Sequence, residues 1–442
     1  MTTELTIRPL TAGLDWDQYA DLSIRAFGPQ DPSLVRAVTE PVVADGRGLG
    51  AFAGDRLIGS ALFLDMRQWW FGRAVPMAGV AGVTIAPEDR GRGVGRILMT
   101  ALLELMAERG YPLSALYPAT TSIYHSLGWE IAGHRYEAVL PARALFALAK
   151  PDLPPPPGEP GPLRRPGPGD AAEVIDVLGR AHAAARDCGP VTRDEATIRS
   201  WLTRPGRYAD TARYAYLAPD GFVGYRWQRG NEEVFVDRLV AASAQTTRAL
   251  WGLVASSSSV ADTVRAQVGP ADPLFWLLRE QDADIAERES WMLRLLDAPA
   301  AIAARGFPAT DITVPLHITD DLRPANSGRW ALTVQSGQGS LVRTGRLNAP
   351  GHPAAPAGRT PPAPSSRDQA SLPPHSPDQA SLPPGSPERT PLALGPRGLA
   401  ALYAGTPVAT LRRSGLAAGG DPAGDAALDG AFAANPFMLD GF

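Results

Sequence analysis

The chain has 442 residues, 44% of them apolar, with a formal net charge of −4 and one cysteine, Cys188. That length allows two or three domains, and a near-neutral balance argues against a bulk nucleic-acid or membrane-surface binder. One cysteine excludes an internal disulfide, six scattered histidines form no metal-ligand cluster, and neither a signal peptide nor a run of about 18 apolar residues is legible, so a cytoplasmic protein without a membrane span is expected.

The predicted elements begin with a strand around Leu5, Ile7 and Leu10 and a helix from Trp16 to Phe27. Strands at 49–52 and 57–64 flank a Gly54-Asp55 turn. Trp69, Trp70 and Phe71 follow, and core packing is their expected role because aromatic rings dominate core area. Val80, Val83 and Ile85 lie in a short β-forming run that Pro87 ends. Val94, Ile97, Leu98, Ala101, Leu102, Leu105 and Met106 then recur at helical spacing, and Gly110 and Pro112 close that helix.

The turn between this strand and helix is the most informative stretch. Gly91, Gly93 and Gly95 alternate with other residues, and without Cβ atoms their N–H groups can approach a ligand closely. The helix N-terminus supplies partial positive charge. Arg90, Arg92 and Arg96 can fork onto phosphate oxygens. Together these features suit a pyrophosphate. A dinucleotide fingerprint would need G-x-G-x-x-G, and a Walker loop would need Gly-Lys-Ser/Thr; neither is present. Arg90-x-x-Gly93-x-Gly95 instead matches the R/Q-x-x-G-x-G/A acetyl-coenzyme A signature of the GNAT acetyltransferase superfamily, in the strand–turn–helix context that signature requires.

After a strand at 113–117 comes Ile123 to Trp129, which resembles the superfamily's aromatic-x-x-x-Gly-aromatic segment through Tyr124, Gly128 and Trp129. The resemblance implies that two strands splay apart here and that the pantetheine arm of the coenzyme lies between them. Backbone groups of Val83 and Ile85 would then pair with the arm as an added β-strand does. The implied cofactor-binding residues are Val83, Thr84, Ile85, Arg90, Gly91, Arg92, Gly93, Val94, Gly95 and Arg96.

Residues 1–150 therefore read as one domain and the Pro/Gly-rich 151–169 as a linker. Residues 170–297 repeat the order of elements, with helices at 171–185, 195–202 and 246–258 and strands at 214–217, 223–228 and 233–240. No glycines or R-x-x-G-x-G lie between Val240 and Thr246, so a second cofactor site is not expected. Cys188 reads as a structural residue at a helix end. The remainder, 298–442, suggests strands at 312–318, 329–334 and 340–342 and short helical elements from 398 onward. It is interrupted at 345–391 by a Pro/Ser/Gly-rich stretch holding two copies of Asp-Gln-Ala-Ser-Leu-Pro-Pro, read as a disordered insertion.

The cofactor motif, the Tyr124 segment, the motif-less second domain and an apolar tail ending in Phe442 together resemble the Eis (enhanced intracellular survival) acetyltransferases. The resemblance implies an α+β chain of tandem GNAT-like domains, a C-terminal domain similar to sterol carrier proteins, and a hexamer. It implies acetyl-coenzyme A as co-substrate, with no metal. Primary amines of small polyamines such as aminoglycosides, or of lysine side chains, would be acceptors. Tyr124 would act as general acid and the terminal carboxylate of Phe442 as base. Carboxylates for a polyamine would come from Asp31, Glu40, Asp65 or Asp440, while His125 is expected to point away. A non-enzymatic scaffold that senses acyl-coenzyme A or carries lipid is the alternative reading.

Overall fold

The computed structural model describes residues 4–11, 13–149, 161–203, 213–280, 283–344 and 390–442. The first unit contains Leu5–Pro9 (β1), Trp16–Phe27 (α1), Pro32–Ala44 (α2), Gly48–Ala53 (β2), Arg56–Trp70 (β3), Arg73–Ile85 (β4), Val94–Glu108 (α3), Leu113–Leu116 (β5), Thr121–Ser126 (α4) and Glu130–Pro141 (β6). The second contains Ala171–Ala185 (α5), Cys188–Arg193 (β7), Glu195–Thr203 (α6), Arg213–Ala218 (β8), Gly221–Gln228 (β9), Glu233–Ala241 (β10), Ala244–Ala255 (α7), Thr263–Val268 (β11), Leu274–Leu277 (α8) and Asp284–Leu295 (β12). The third contains Ala298–Ala304 (α9), Ile312–Ile318 (β13), Gly328–Gln335 (β14), Gln338–Arg343 (β15), Leu392–Leu394 (β16), Pro396–Tyr403 (α10), Val408–Arg413 (α11), Ala417–Gly419 (β17), Pro422–Phe432 (α12) and Phe437–Met438 (β18). Among the described residues no helix is long and apolar enough to cross a membrane.

Several element boundaries follow from local chemistry. Asp15 caps α1 by accepting from the N–H groups of Asp17 and Gln18. Helix α2, absent from the sequence reading, starts on Asp31 and Pro32, a favourable cap-and-first-turn pair. Helix α12 starts earlier than the apolar spacing suggests, because Asp421 caps it through Gly424 N–H and Pro422 opens it. The reading of Cys188 as a helix end is corrected: it is the first residue of β7, buried, with its sulfur accepting from Phe71 N–H at 3.3 Å. The proposed insertion at 345–391 falls outside the described residues up to 389, and most of the 151–169 linker likewise. Trp70 is fully buried, as the core reading expects, with its ring 4.9 Å from that of Tyr403.

Both units share a 13-stranded sheet whose main path is β1-β2-β3-β4-β5-β12-β6-β11-β10-β9-β8. The last strands of the two units are exchanged. Strand β12 pairs antiparallel with β5 of the first unit, while β6 pairs antiparallel with β11 of the second. The exchanged strands pair with each other along Asp284–Leu293. Strand β7 adds a further cross-link by pairing with β3 over Met66–Trp70.

The third unit is a five-stranded sheet, β15-β14-β13-β16-β17, with α9 to α12 around it. Its core is continuous with that of the first unit: Trp70 and Trp291 lie in one apolar cluster with Tyr403 and Phe432. At this seam Arg305 is fully buried, with its guanidinium 4.5 Å from the Tyr403 ring centre and 4.7 Å from those of Phe307 and Phe432. Cation–π attraction and a 2.5 Å bond to the Tyr403 carbonyl offset part of its desolvation. A second buried charge, Arg294 on β12, pairs with Asp320 at 2.7 Å. Asp320 also accepts from the Arg323 N–H and the Asn326 amide.

Breaking one side of such a pair leaves an uncompensated buried charge. Arg294→Leu is therefore expected to destabilise the protein by about 3–5 kcal/mol, measured as a shift in the urea unfolding midpoint. A loss under about 1 kcal/mol would show that the pair contributes nothing to joining the units.

Candidate functional site

The site is built on β4. Strand β4 pairs parallel with β5 over only three positions, Met77↔Leu113 to Gly79↔Ala115. From Val80 to Ile85 no strand among the described residues lies opposite that edge of β4. An extra residue in β4 at this point supplies the bend. Opposite β3, register steps from Leu62↔Ala81 to Ser60↔Thr84, and Gly82 sits in the bulge at φ +59°. A bulge of this kind bends its strand and sharpens its twist. Thr84 is buried there, and its hydroxyl has no hydrogen-bond partner among the described residues.

The turn after β4 is open to solvent. Gly91 and Gly93 adopt φ of +74° and +79°, where a side chain would be strained. Gly93 is the N-cap of α3, and no side chain caps that helix. Its first N–H groups are therefore left to solvent or to an anion. The arginines are not all loose. Arg90 donates through Nε to the Ile85 carbonyl at 3.1 Å, Arg92 pairs with Asp89 at 3.1 Å, and Arg96 donates to Ser126 Oγ at 2.9 Å. An unfilled strand edge, an orphaned hydroxyl and an uncapped glycine turn fit an extended ligand with a diphosphate.

The same helix brings Tyr124 to this turn. A Cβ on Gly95 would lie 3.2 Å from Ile123 Cδ1, so the missing side chain lets α3 approach α4 closely. With the Arg96–Ser126 bond, this ties α4 to the turn at two points. Tyr124 is buried, edge-on to Trp129 at 6.4 Å between ring centres, and burial raises its phenol above the usual value near 10. Its hydroxyl has no hydrogen-bond partner among the described residues, which leaves its proton uncommitted. His125 faces away, with Nε2 3.0 Å from Glu130.

Phe442 arrives from the far end of the chain. Its ring lies on β4 at Gly79, where an added Cβ would come within 3.0 Å of two ring carbons. It also packs edge-on against Tyr117, just beyond β5, with ring centres 5.3 Å apart. One strand thus carries the Phe442 contact, the splayed edge and the turn in succession. Glycine inside a strand often marks such a close approach, a signal available at Gly79 in the sequence. Tyr117 carried no comparable mark.

Each candidate carboxylate already has a partner of its own. Asp31 caps α2, Glu40 pairs with Arg36, Asp65 accepts from Tyr111 and Asp440 pairs with Arg238. A surface hollow of about 410 Å³ lies elsewhere, beside Arg8, Leu14 and Asp55; the unpaired strand edge, not this hollow, is where a backbone-pairing ligand fits. In the second unit only Ala242 and Ser243 separate β10 from α7, and Ser243 caps α7 through Thr246 N–H. That helix end is already satisfied.

Comparison with known proteins gives the lineage. Residues 6–132 and 189–295 each match a GNAT acetyltransferase domain, and 298–357 match a sterol carrier protein domain. The crystal structure of a GCN5-related N-acetyltransferase from Kribbella flavida is 41% identical, with TM-score 0.81, covering 100% of this chain and 99% of that one. The chain belongs to the GCN5-related N-acetyltransferases. It is Eis-like among them: N-acetyltransferase Eis of Mycobacterium tuberculosis (strain ATCC 25177 / H37Ra) is 28% identical over 350 residues, 75% of this chain and 83% of that protein. The Eis1 structure from Mycobacterium abscessus shares the fold at 23% identity and TM-score 0.73, covering 99% of this chain and all of that one. The protein is thus an acetyltransferase, and the scaffold alternative is set aside.

The α3 end lacks a side-chain cap and the α7 end has one, which leaves one of the two turns open to an anion. Equilibrium dialysis with acetyl-coenzyme A is expected to give one equivalent bound per chain; two equivalents would show that the second unit also binds.

Proposed function

We propose that this acetyltransferase moves an acetyl group from acetyl-coenzyme A to a primary amine at the splayed edge of β4, with Tyr124 as acid and the Phe442 carboxylate as base. The observation that carries this reading is the convergence on β4 of an unpaired edge, an uncapped glycine turn, an uncommitted phenol and the chain terminus. The diphosphate would sit on the N–H groups of residues 91–96 with Arg90, Arg92 and Arg96 around it. The pantetheine arm would run along Val83, Thr84 and Ile85.

The chemistry divides between the two groups. A primary amine is mostly protonated at neutral pH, with a reference pKa of about 10.4 for lysine, so it must lose a proton to attack. That first proton goes to solvent, and the terminal carboxylate takes a second proton from the same nitrogen as its lone pair bonds to the thioester carbonyl carbon. When the carbon–sulfur bond breaks, the electron pair goes to sulfur, and the Tyr124 proton follows it. Amide and free thiol leave, and a proton passes back from the carboxyl group to the phenolate through solvent. Burial favours neutral Tyr124, which keeps the acid protonated throughout the working range.

Aminoglycosides and lysine side chains remain the acceptor classes. Glu40 and Asp440 are already neutralised by Arg36 and Arg238, which favours the single charge of a lysine side chain over a polycation. The cytoplasm is the compartment we assign, and a hexamer is the assembly we infer from the Eis resemblance.

A thiol-release assay over an amine panel tests the reaction. Tyr124→Phe is expected to lower kcat by about a hundredfold or more with the KM for acetyl-coenzyme A little changed; an unaltered kcat would remove Tyr124 from the chemistry. Because burial raises its pKa, the proton on Tyr124 is present below pH 10 and lost only above it. Any Tyr124-dependent alkaline fall in kcat should therefore lie above the pH at which free tyrosine titrates, and a fall centred near pH 8 would assign the proton to another group.

A further inference from the structure

The last six residues are held by both acetyltransferase units. Phe437 and Met438 pair parallel with His134 and Arg135 of β6. Room for them comes from glycines: an added Cβ would lie 2.5 Å from the Pro436 carbonyl at Gly133 and 2.2 Å from the Phe437 carbonyl at Gly189. Beyond Met438 the strand pairing stops, and side chains take over. Tyr117 donates its hydroxyl to the Asp440 carbonyl at 2.6 Å, with the Met438 sulfur at 3.2 Å. Arg193, on β7 of the second unit, donates to the Gly441 carbonyl at 2.7 Å. Arg238 on β10 pairs with the Asp440 carboxylate.

Chain ends fray unless tied down, whereas a general base has to come within about 2.6–3.2 Å of the proton it takes. Bonds to the carbonyls of 440 and 441 fix the two peptide planes before the terminal residue. The Phe442 ring is then closed in by Gly79 below, Tyr117 edge-on and the Arg193 guanidinium 6.0 Å from its centre. With both the ring and the preceding peptides fixed, the terminal carboxylate has little freedom left. The Tyr117 proton is committed to the Asp440 carbonyl, so Tyr117 is not a rival to Tyr124 as acid. Burial raises the Tyr117 phenol far above its usual range, which keeps it a donor at every working pH.

We infer that Tyr117 and Arg193 are positioning residues that hold the terminal carboxylate of Phe442 in place for proton transfer, one supplied by each acetyltransferase unit. This rests on the reading of that carboxylate as base. It also gives the second unit a task at the first unit's site.

The test uses the full chain and three variants: Tyr117→Phe, Arg193→Met and Arg193→Lys, the last keeping a donor. Carboxypeptidase A, which removes C-terminal aromatic residues, reads tail order through the rate of Phe442 release by mass spectrometry. Steady-state kinetics reads the base. Tyr117→Phe and Arg193→Met are expected to release Phe442 at least tenfold faster and to lose tenfold or more in kcat, with KM for acetyl-coenzyme A within twofold; Arg193→Lys recovers part of both. Release rates equal to the parent's would overturn the proposal. So would faster release with unchanged kcat, provided that a chain ending at Gly441 has lost activity. If that shortened chain stays fully active, the base assignment itself fails, which is a separate outcome.

Discussion

Everything at the site depends on β4 parting from β5. Strand pairing is cooperative along a ladder, and an edge left open in mid-sheet carries unpaired N–H and C=O groups that need a partner. Here the parting has two identifiable causes. The extra residue around Gly82 bends β4 away after Gly79. Strand β12 takes the opposite edge of β5 through Leu295 and holds it in the plane of the sheet. The result is a slot whose one wall is backbone and whose far end opens on the glycine turn, suited to a long amide-containing ligand with a charged end.

The strand exchange gives this slot its rigidity. Since β12 belongs in sequence to the second unit, the wall beside β5 cannot move unless the second unit moves with it. The third unit is tied to the same strand through Arg294–Asp320 and to the end of β3 through Trp70 and Arg305. The tail then returns from the third unit to the first across β6 and β7. A unit without an open glycine turn of its own thus supports the wall of the slot and the seat of the terminal residue.

Much of this was legible in the sequence, for stated reasons. The turn at 90–96 was visible because its chemistry is local: glycines for positive φ, arginines for charge, and flanking periodicities of two kinds. The lack of a second glycine turn is visible for the same reason, in two residues between β10 and α7. Helix α2 was missed because its signal is a cap, Asp31-Pro32, more than an apolar stripe. The exchange of β6 and β12 was not legible, since each strand could satisfy its pattern beside either partner. Tyr117, Arg193 and Phe442 are far apart in the chain, and only the threading of the tail brings them together. The sequence shows that the arginines of the turn can fork onto phosphate, but not that Arg92 and Arg96 have side-chain partners in Asp89 and Ser126.

A crystal structure of the protein with coenzyme A tests the slot most directly. The diphosphate should be found on the main-chain N–H groups between Gly91 and Arg96, with the pantetheine amides bonded to the backbone of Val83 to Ile85 and the sulfur directed toward Tyr124. A coenzyme bound elsewhere, or a slot closed by β4 pairing on toward Ile85, would contradict it.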